Sequence, residues 1–229
     1  MAGNGVIYSK YELLIPDCGG DQVDFFQVIE KRRSIRRYKN QPIEPEIMKK
    51  IVEAALRAPS SRNLQPCEFI VVTDHRLLGE MAKAKEHGAS FLAEAPLALV
   101  VCADPEKSDV WIEDASIAST CVFLAAEALG LGSCWIQIRE RRHKTGKPAE
   151  EVLRDVLHLP SHLKVLSIIA MGYPDEEKTG HSKEELQFDN VYRVRCLDDG
   201  AANYRIRYQL QREYSESEPE KLSSGTKTP

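Results

Sequence analysis

The sequence predicts an α+β fold in which helices and strands intermix along one chain. Four short apolar runs indicate strands, and capped or amphipathic segments between them indicate helices. The order lacks the regular strand–helix–strand rhythm of a doubly wound parallel sheet, and no internal repeat is present. A chain of 229 residues can bury roughly 70–75% of its unfolded surface, so this fold needs no disulfide or metal to hold its core.

The first two helices begin at clear sequence signals. Asp24 is a good N-cap, with Gln27 three residues later, and this helix is expected to run to about Lys31. Pro45 suits the first position of the second helix, whose apolar residues share one face. Because a residue before proline avoids the helical conformation, we expect this helix to end before Pro59.

The later elements follow from apolar patterning. The run over residues 96–103 is apolar throughout, so we expect a strand that is covered on both faces. Gly130 stands where a long apolar helix would end in a left-handed residue. The other predicted elements are a strand over 69–73, a helix over 76–85, a helix over 112–129, a strand over 133–136, a helix over 149–157 and a strand over 164–171.

Composition narrows the function classes. Apolar residues make up 42% of the chain and charged residues 29%, as in an ordinary soluble globular protein. The net charge of −4 disfavours nucleic-acid binding, and the apolar runs are too short to span a bilayer. The first residues carry no secretory signal pattern and the six cysteines form no Cys-x-x-Cys pair, which favours a cytoplasmic location. His158 and His162 are separated by Pro160, so no metal site is predicted.

The chain is expected to contain one main domain between two less regular ends. Residues 1–23 are irregular and form a predicted N-terminal arm, and the domain is predicted over residues 24–200. Residues 201–229 form a C-terminal extension. Its part over 205–214 alternates polar and apolar residues, which suits packing on a partner, and its polar end over 215–229 is predicted to be disordered.

A basic cluster at the end of the first helix is the strongest functional signal. Arg32, Arg33, Ser34 and Arg36 place three guanidinium groups and a hydroxyl within five residues. Arginine offers fixed N–H donors and a permanent charge, so such a cluster suits an anion, above all a phosphate. The alternative is a solvated basic helix end, where cations also suit the helix dipole.

Two further segments are rich in short polar donors or in glycine. The first is Pro59-Ser60-Ser61-Arg62-Asn63-Leu64-Gln65-Pro66, and the second is Gly130-Leu131-Gly132-Ser133-Cys134-Trp135. Each has an ordinary interpretation, since serine and asparagine form local turn hydrogen bonds and glycines end helices.

Taken together, these three segments resemble the nitroreductase family of FMN-dependent oxidoreductases. The first matches the family's Arg-Arg/His-Ser-x-Arg/Lys motif, and the second matches Ser-x-x-Asn-x-Gln-Pro followed by a strand. The third matches Ala-x-x-x-Gly-Leu-Gly-Ser-Cys-Trp-Ile, and the resemblance covers residues 24–189. The family's late Arg-Lys-Pro pattern is absent, and Gln137 stands where some relatives carry Glu.

The resemblance implies a set of FMN-binding residues but no catalytic side chain, because the flavin itself performs the chemistry. Arg32, Arg33, Ser34 and Arg36 would hold the phosphate and ring, and Lys178 and His181 are candidates for the late phosphate contact, with a solvated loop as the alternative. The residues expected to reach the partner's flavin are Pro59, Ser60, Ser61, Asn63 and Gln65. The residues expected to line the flavin ring are Trp135, Ile136 and Gln137.

The resemblance also implies a fold and an activity. The expected fold has three α-β-α layers with a mainly antiparallel sheet, in an intertwined homodimer with FMN at the interface. The expected activity moves a hydride from NADH or NADPH through FMN to a small acceptor such as a nitroaromatic or quinone, in ping-pong fashion. The alternatives are a specialised flavin enzyme, such as a reductive dehalogenase, and a non-catalytic flavin-binding sensor.

Overall fold

The computed structural model describes residues 24–193 and 206–207. The chain separates into two compact units, with the boundary between Lys178 and Thr179. The predicted arm over 1–23 lies outside the described residues, as does the predicted extension over 201–229 apart from Ile206–Arg207. The domain boundaries at 24 and 200 therefore stay a prediction.

The first unit contains five α-helices and four strands among its described residues. Short 3₁₀ turns at Ser61–Asn63 and Ser90–Glu94 connect some of them. In chain order the elements are α1 Phe25–Lys31, α2 Pro45–Leu56, β1 Cys67–Val72, α3 His75–Met81, β2 Leu97–Ala103, α4 Trp111–Ala128, β3 Gly132–Gln137, α5 Ala149–Leu157 and β4 Lys164–Gly172.

The second unit is described only in part. It has 3₁₀ turns at Lys183–Glu185 and Phe188–Asn190. Strand β5, Tyr192–Arg193, pairs antiparallel with strand β6, Ile206–Arg207. In neither unit is a described helix long and apolar enough to cross a membrane.

The four strands of the first unit form one antiparallel sheet in the order β1-β2-β4-β3. In the register, Ile70 lies opposite Val100, and Val100 lies opposite Ile168. This arrangement confirms the predicted α+β class and the antiparallel sheet. It also places β1 and β3 at opposite edges, with β2 and β4 buried between them.

Apolar residues cover both faces of this sheet. Because successive strand residues point to opposite faces, β2 contributes to both cores. Leu97, Leu99 and Val101 pack with α2 and α4, while Ala98, Val100 and Cys102 pack with α3 and α5. The first unit thus has the predicted three layers, and the expected double coverage of residues 96–103 is confirmed.

Local signals set most helix ends as expected. The Asp24 carboxylate accepts a hydrogen bond from Phe26 N at 3.0 Å, and Pro45 is the first residue of α2. Gly130 has a φ of +74°, and the Leu131 N–H closes the end of α4 by donating to Ala126 O at 2.8 Å.

One helix prediction is wrong in its extent. Helix α3 ends at Met81 and does not continue to residue 85. Beyond Met81 the chain forms a tight turn, in which Ala84 N donates a hydrogen bond to Met81 O, three residues earlier. Glu86 N then donates to Arg142 O. A hydrogen bond between residues that are 56 positions apart in the chain therefore replaces the helical hydrogen bonds that local propensity favours.

An extended segment following α1 attaches to the sheet beside β3. Ile35 N donates to Ser133 O at 3.0 Å, and Lys39 N donates to Tyr173 O at 2.8 Å. The segment over residues 34–39 thus spans the edge of β3 and the end of β4. This contact fixes the position of the basic cluster.

Two glycines allow this close approach. A Cβ on Gly132 would lie 2.7 Å from Ile35 Cβ, and a Cβ on Gly172 would lie 2.7 Å from Pro96 Cδ and 3.0 Å from Tyr38 Cβ. The buried Tyr38 hydroxyl also donates to Ile35 O at 2.6 Å. Side chains at either glycine would push the segment away from the sheet.

We expect Gly132→Ala to destabilise the protein by about 1–3 kcal/mol, because its methyl group overlaps Ile35 in a packed interior. The matched control is Gly79→Ala in α3, where no atom lies within 4 Å of the new Cβ and alanine favours the helix. Urea unfolding compares the two variants. Equal unfolding free energies would contradict the proposed close contact.

Candidate functional site

The basic cluster lies just beyond α1 rather than within it. Arg32 is the C-cap residue of α1, and Ser34 pairs with Ser133 in a parallel bridge. We call residues 32–37 the arginine segment. The Arg36 guanidinium carbon lies 5.8 Å from the centre of the Phe91 ring, within the range of a cation–π contact.

The structure brings Lys178 to this segment. Its Nζ donates to Ser34 O at 2.7 Å and contacts Glu176 Oε1 at 3.0 Å. His181, the other predicted late contact, belongs to the second unit, where its Nδ1 lies 3.1 Å from Glu185 Oε2. Of the two candidates, Lys178 is therefore the one placed beside Ser34.

Glu176 is a positioning residue that the sequence analysis missed. Its Oε1 accepts hydrogen bonds from Arg36 N at 2.5 Å and Arg37 N at 3.3 Å, in addition to the Lys178 contact. The pKa of Glu176 is lowered, first by the Arg36 N–H bond and then by the Lys178 side chain. One carboxylate thus holds the arginine segment and Lys178 together.

The outer edge of β3 presents main-chain donors next to this cluster. The Ser133 carbonyl points outward, since it accepts from Ile35 N. Main-chain groups alternate in direction along a strand, so the N–H groups of Trp135 and Gln137 face the same edge. A hydrogen-bonding strip therefore extends along β3 from the arginine segment.

The three predicted ring-lining residues have different environments. Trp135 stacks on Phe123 with ring centres 6.2 Å apart, and its Nε1 donates to Gln137 Oε1 at 2.8 Å. Gln137 Nε2 in turn donates to Arg139 O. Ile136 is buried on the opposite face, in the core with α3 and α5. By the same alternation its main-chain N–H and C=O face β4, where it lies opposite Ile168, and not the outer edge.

The polar loop before β1 has a strained backbone. Arg62, Asn63 and Gln65 have φ values of 50°, 55° and 46°. Non-glycine residues rarely adopt this left-handed conformation, and its cost must be offset by surrounding contacts. The Ser60 hydroxyl accepts from Gln65 N at 2.9 Å, which closes the loop on itself.

A buried carboxylate anchors this loop. Asp114 in α4 accepts from Ser61 N at 2.7 Å and from the Ser108 hydroxyl at 2.8 Å, and only 2% of its surface is exposed. Arg62 and Asp109 form an additional ion pair. Asp114 lies in the first turn of α4, and its hydrogen bonds tie the polar loop to the loop that contains Ser108.

The same loop borders a pocket of about 160 Å³. Its wall includes Pro59, Ser60 and Gln65 from the predicted set, together with Asp114. Burial, followed by the charge of Asp114, raises the pKa of the nearby Cys67 thiol to about 11. This thiol therefore stays neutral at physiological pH.

The structure does not bring all predicted residues together within one chain. The polar loop leads into β1, whereas the arginine segment lies beside β3 at the other edge of the sheet. Three interstrand spacings of about 4.8 Å separate these edges by about 14 Å. Pro59, Ser60, Ser61, Asn63 and Gln65 are thus distant from the strip on the same chain's β3.

Known proteins match both the sequence and this arrangement. The Nitroreductase family matches residues 29–173. An Archaeoglobus fulgidus protein named "Putative NADH dehydrogenase/NAD(P)H nitroreductase" is 39% identical over 163 residues, covering 69% of this chain and 90% of the relative. An FMN reductase [NAD(P)H] of Bacillus subtilis is 28% identical over 204 residues, covering 75% of this chain and 79% of the relative.

A solved structure agrees with this assignment. It is an FMN-dependent nitroreductase from Clostridium difficile, which has 46% identity and a TM-score of 0.72, and it covers 73% of this chain and 97% of the other chain. The protein therefore belongs to the nitroreductase family, and the predicted enzyme class is confirmed. In the described part of the chain, no three His, Cys, Asp or Glu side chains converge as metal ligands.

We expect Asp114→Ala to cost about 1–3 kcal/mol of stability, because it leaves the Ser61 N–H and the Ser108 hydroxyl without their acceptor. Amide hydrogen exchange at Ser61 should accelerate as the loop opens. The control is Glu113→Ala, which removes an exposed carboxylate from the neighbouring position of α4. Similar exchange in both variants would show that Asp114 does not anchor the loop.

We expect Glu176→Gln to lower the melting temperature at pH 7 by about 2–4 °C, since it weakens the hold on two main-chain N–H groups and Lys178. Because the folded pKa of Glu176 is lowered, its stabilising effect is complete above the ordinary glutamate pKa. The effect is then lost as the pH falls through the folded pKa.

Melting curves of both proteins from pH 7 down to pH 3 measure this difference. The gap between wild type and Glu176→Gln should narrow at the acidic end. A gap that stays constant across this range would mean that the ionised carboxylate does not provide the stabilisation.

Proposed function

We propose that the protein is an FMN-dependent oxidoreductase that moves two electrons, as a hydride, from NADH or NADPH to a small organic acceptor such as a nitroaromatic or quinone. The cycle would be ping-pong, with donor and acceptor using the same site in turn. The observation that carries this proposal is the convergence of the arginine segment, Lys178 and the outward N–H groups of β3. Family membership supports the choice of cofactor.

The donor set fits FMN. Arg32, Arg33, Ser34 and Arg36, with Lys178, provide cations and N–H or O–H donors suited to a phosphate and to the polar edge of a flavin. The outward N–H groups of Trp135 and Gln137 suit the ring nitrogens and carbonyls. Bound FMN would supply reversible two-electron chemistry, as it does in flavin enzymes generally.

The protein's own residues would bind and orient rather than react. The N–H groups of β3 stabilise charge without titrating, since main-chain amides stay protonated throughout a cycle. Glu176 keeps Lys178 and the arginine segment in place, and the stacked pair of Phe123 and Trp135 gives a rigid apolar support behind the strip. No side chain is proposed as a proton donor.

We further propose that two chains form a homodimer with a site at each end of their interface. The polar loop with Ser60, Ser61, Asn63 and Gln65 lies at the edge of the sheet opposite to β3 of its own chain. In the homodimer the corresponding loop of the partner chain would lie beside this β3. Apolar side chains are exposed here: Leu64 in the loop is 39% exposed, and Leu56, which lines the same pocket as Ser60 and Gln65, is 61% exposed. Apolar surface of this kind is typical of an interface.

A cytoplasmic location is also proposed. Cys67, Cys102, Cys121 and Cys134 are free thiols in the described part of the chain, as expected in a reducing compartment.

The decisive experiment is a visible absorbance spectrum of the purified protein, followed by anaerobic addition of NADH or NADPH and then of a nitroaromatic or quinone. We expect a flavin spectrum that bleaches with the nicotinamide and returns with the acceptor. Bound flavin that never bleaches would favour the sensor alternative. Bleaching with reoxidation only by halogenated phenols would favour the dehalogenase, and failure to bind FMN would refute the proposal.

We expect Arg36→Ala to weaken FMN binding at least tenfold, since a charge-assisted hydrogen bond contributes about 1.5–3 kcal/mol. The matched control is the neighbouring Arg37→Ala, because the Arg37 side chain is 70% exposed and lies 3.9 Å from Asp175. Its affinity should stay within about threefold of wild type. Fluorescence titration of apoprotein with FMN measures both, and equal losses would contradict a specific role for Arg36.

A further inference from the structure

A second basic patch lies away from the arginine segment. Lys85 is in the turn after α3, and Arg141 and Arg142 are in the loop after β3. A hydrogen bond of 3.0 Å from Glu86 N to Arg142 O joins the turn to the loop. We call Lys85, Arg141 and Arg142 the basic shelf.

The positive charges of the basic shelf are not neutralised by neighbouring acids. Glu140 pairs with Arg139 at 2.6 Å, and Glu86 lies 3.6 Å from His87. In the described ranges, none of the three shelf residues has a carboxylate oxygen within 4.0 Å. Their charge is local, since the whole protein carries a net charge of −4.

Lys85 and Arg141 are close enough to repel each other. Its side chain is half-buried, and its pKa is lowered first by burial and then by the positive charge of Arg141. Holding two cations together without an anion costs free energy, which a bound anion recovers. The geometry therefore suits a negatively charged ligand.

The basic shelf lies at the far end of the β3 strip. Lys85 Nζ is 3.4 Å from Gln137 O, whereas Ser133, four residues earlier, contacts the arginine segment. Four residues of strand span about 13 Å. The strip is thus basic at both ends, and the single phosphate of FMN can occupy only one of them.

We propose that the basic shelf binds the phosphate or carboxylate of the second substrate, in the first place the 2′-phosphate of NADPH. This inference rests on the proposed function, because it assumes that donor and acceptor approach a flavin on β3. Arginine forks recognise phosphate with paired hydrogen bonds, and NADH lacks this group. An anionic acceptor is the other source of the same chemistry.

The test uses the full-length holoenzyme with Arg141→Ala and Lys85→Met. The wild-type enzyme should have a higher kcat/KM for NADPH than for NADH. Each variant should lower kcat/KM for NADPH about tenfold by raising KM, while kcat/KM for NADH stays within twofold of the wild-type value. Calorimetric titration with NADP⁺ and NAD⁺ should show the same difference. The matched control is Arg76→Ala, which removes an exposed cation from the first turn of α3. This variant should leave kcat/KM for both NADPH and NADH unchanged.

A comparison of 4-nitrobenzoate with the uncharged 4-nitrobenzamide identifies the source of the anion. If the shelf variants raise KM for 4-nitrobenzoate but not for 4-nitrobenzamide, the basic shelf binds an anion and the acceptor is its ligand. Equal effects on charged and uncharged substrates, or a loss of FMN affinity instead, would overturn the inference. A protein without bound FMN would refute the proposed function, while the NADP⁺ titration would still report on the basic shelf.

Discussion

The attachment of residues 34–39 to the open edge of β3 is the constraint on which the rest of the site depends. Main-chain hydrogen bonds hold this segment, and they form only because Gly132 and Gly172 leave room for Ile35 and Tyr38. Once attached, the segment carries its guanidinium groups to a fixed position beside β3. Glu176 then holds Lys178 beside the same cluster, because its carboxylate accepts hydrogen bonds from both Arg36 N and Lys178 Nζ.

Strand order determines which groups one chain can provide alone. With β1 and β3 at opposite edges, a single chain has an arginine segment at one edge and a strained polar loop at the other. Asp114 holds the loop in this conformation within one chain, so in the proposed homodimer little entropy would be lost when the loop met a second chain. The same sheet therefore provides both halves of a site that two chains would complete.

Features with a local cause could be predicted from the sequence. Asp24, Pro45 and Gly130 act on backbone groups a few residues away, and the continuous apolar run of β2 reflects burial on both faces. The roles of Asp114 and Glu176 could not be predicted, because their partners lie 53 and 140 residues away along the chain. The early end of α3 has the same origin in a distant hydrogen bond.

In the proposed function the cofactor lies along the outer edge of β3. Amide hydrogen exchange with and without saturating FMN, followed by mass spectrometry, tests it directly. We expect slower exchange in residues 33–37, 60–65 and 133–137 when FMN is bound, and no change in α5 at the other side of the sheet. Protection confined to other segments, with β3 and the arginine segment unchanged, would contradict it.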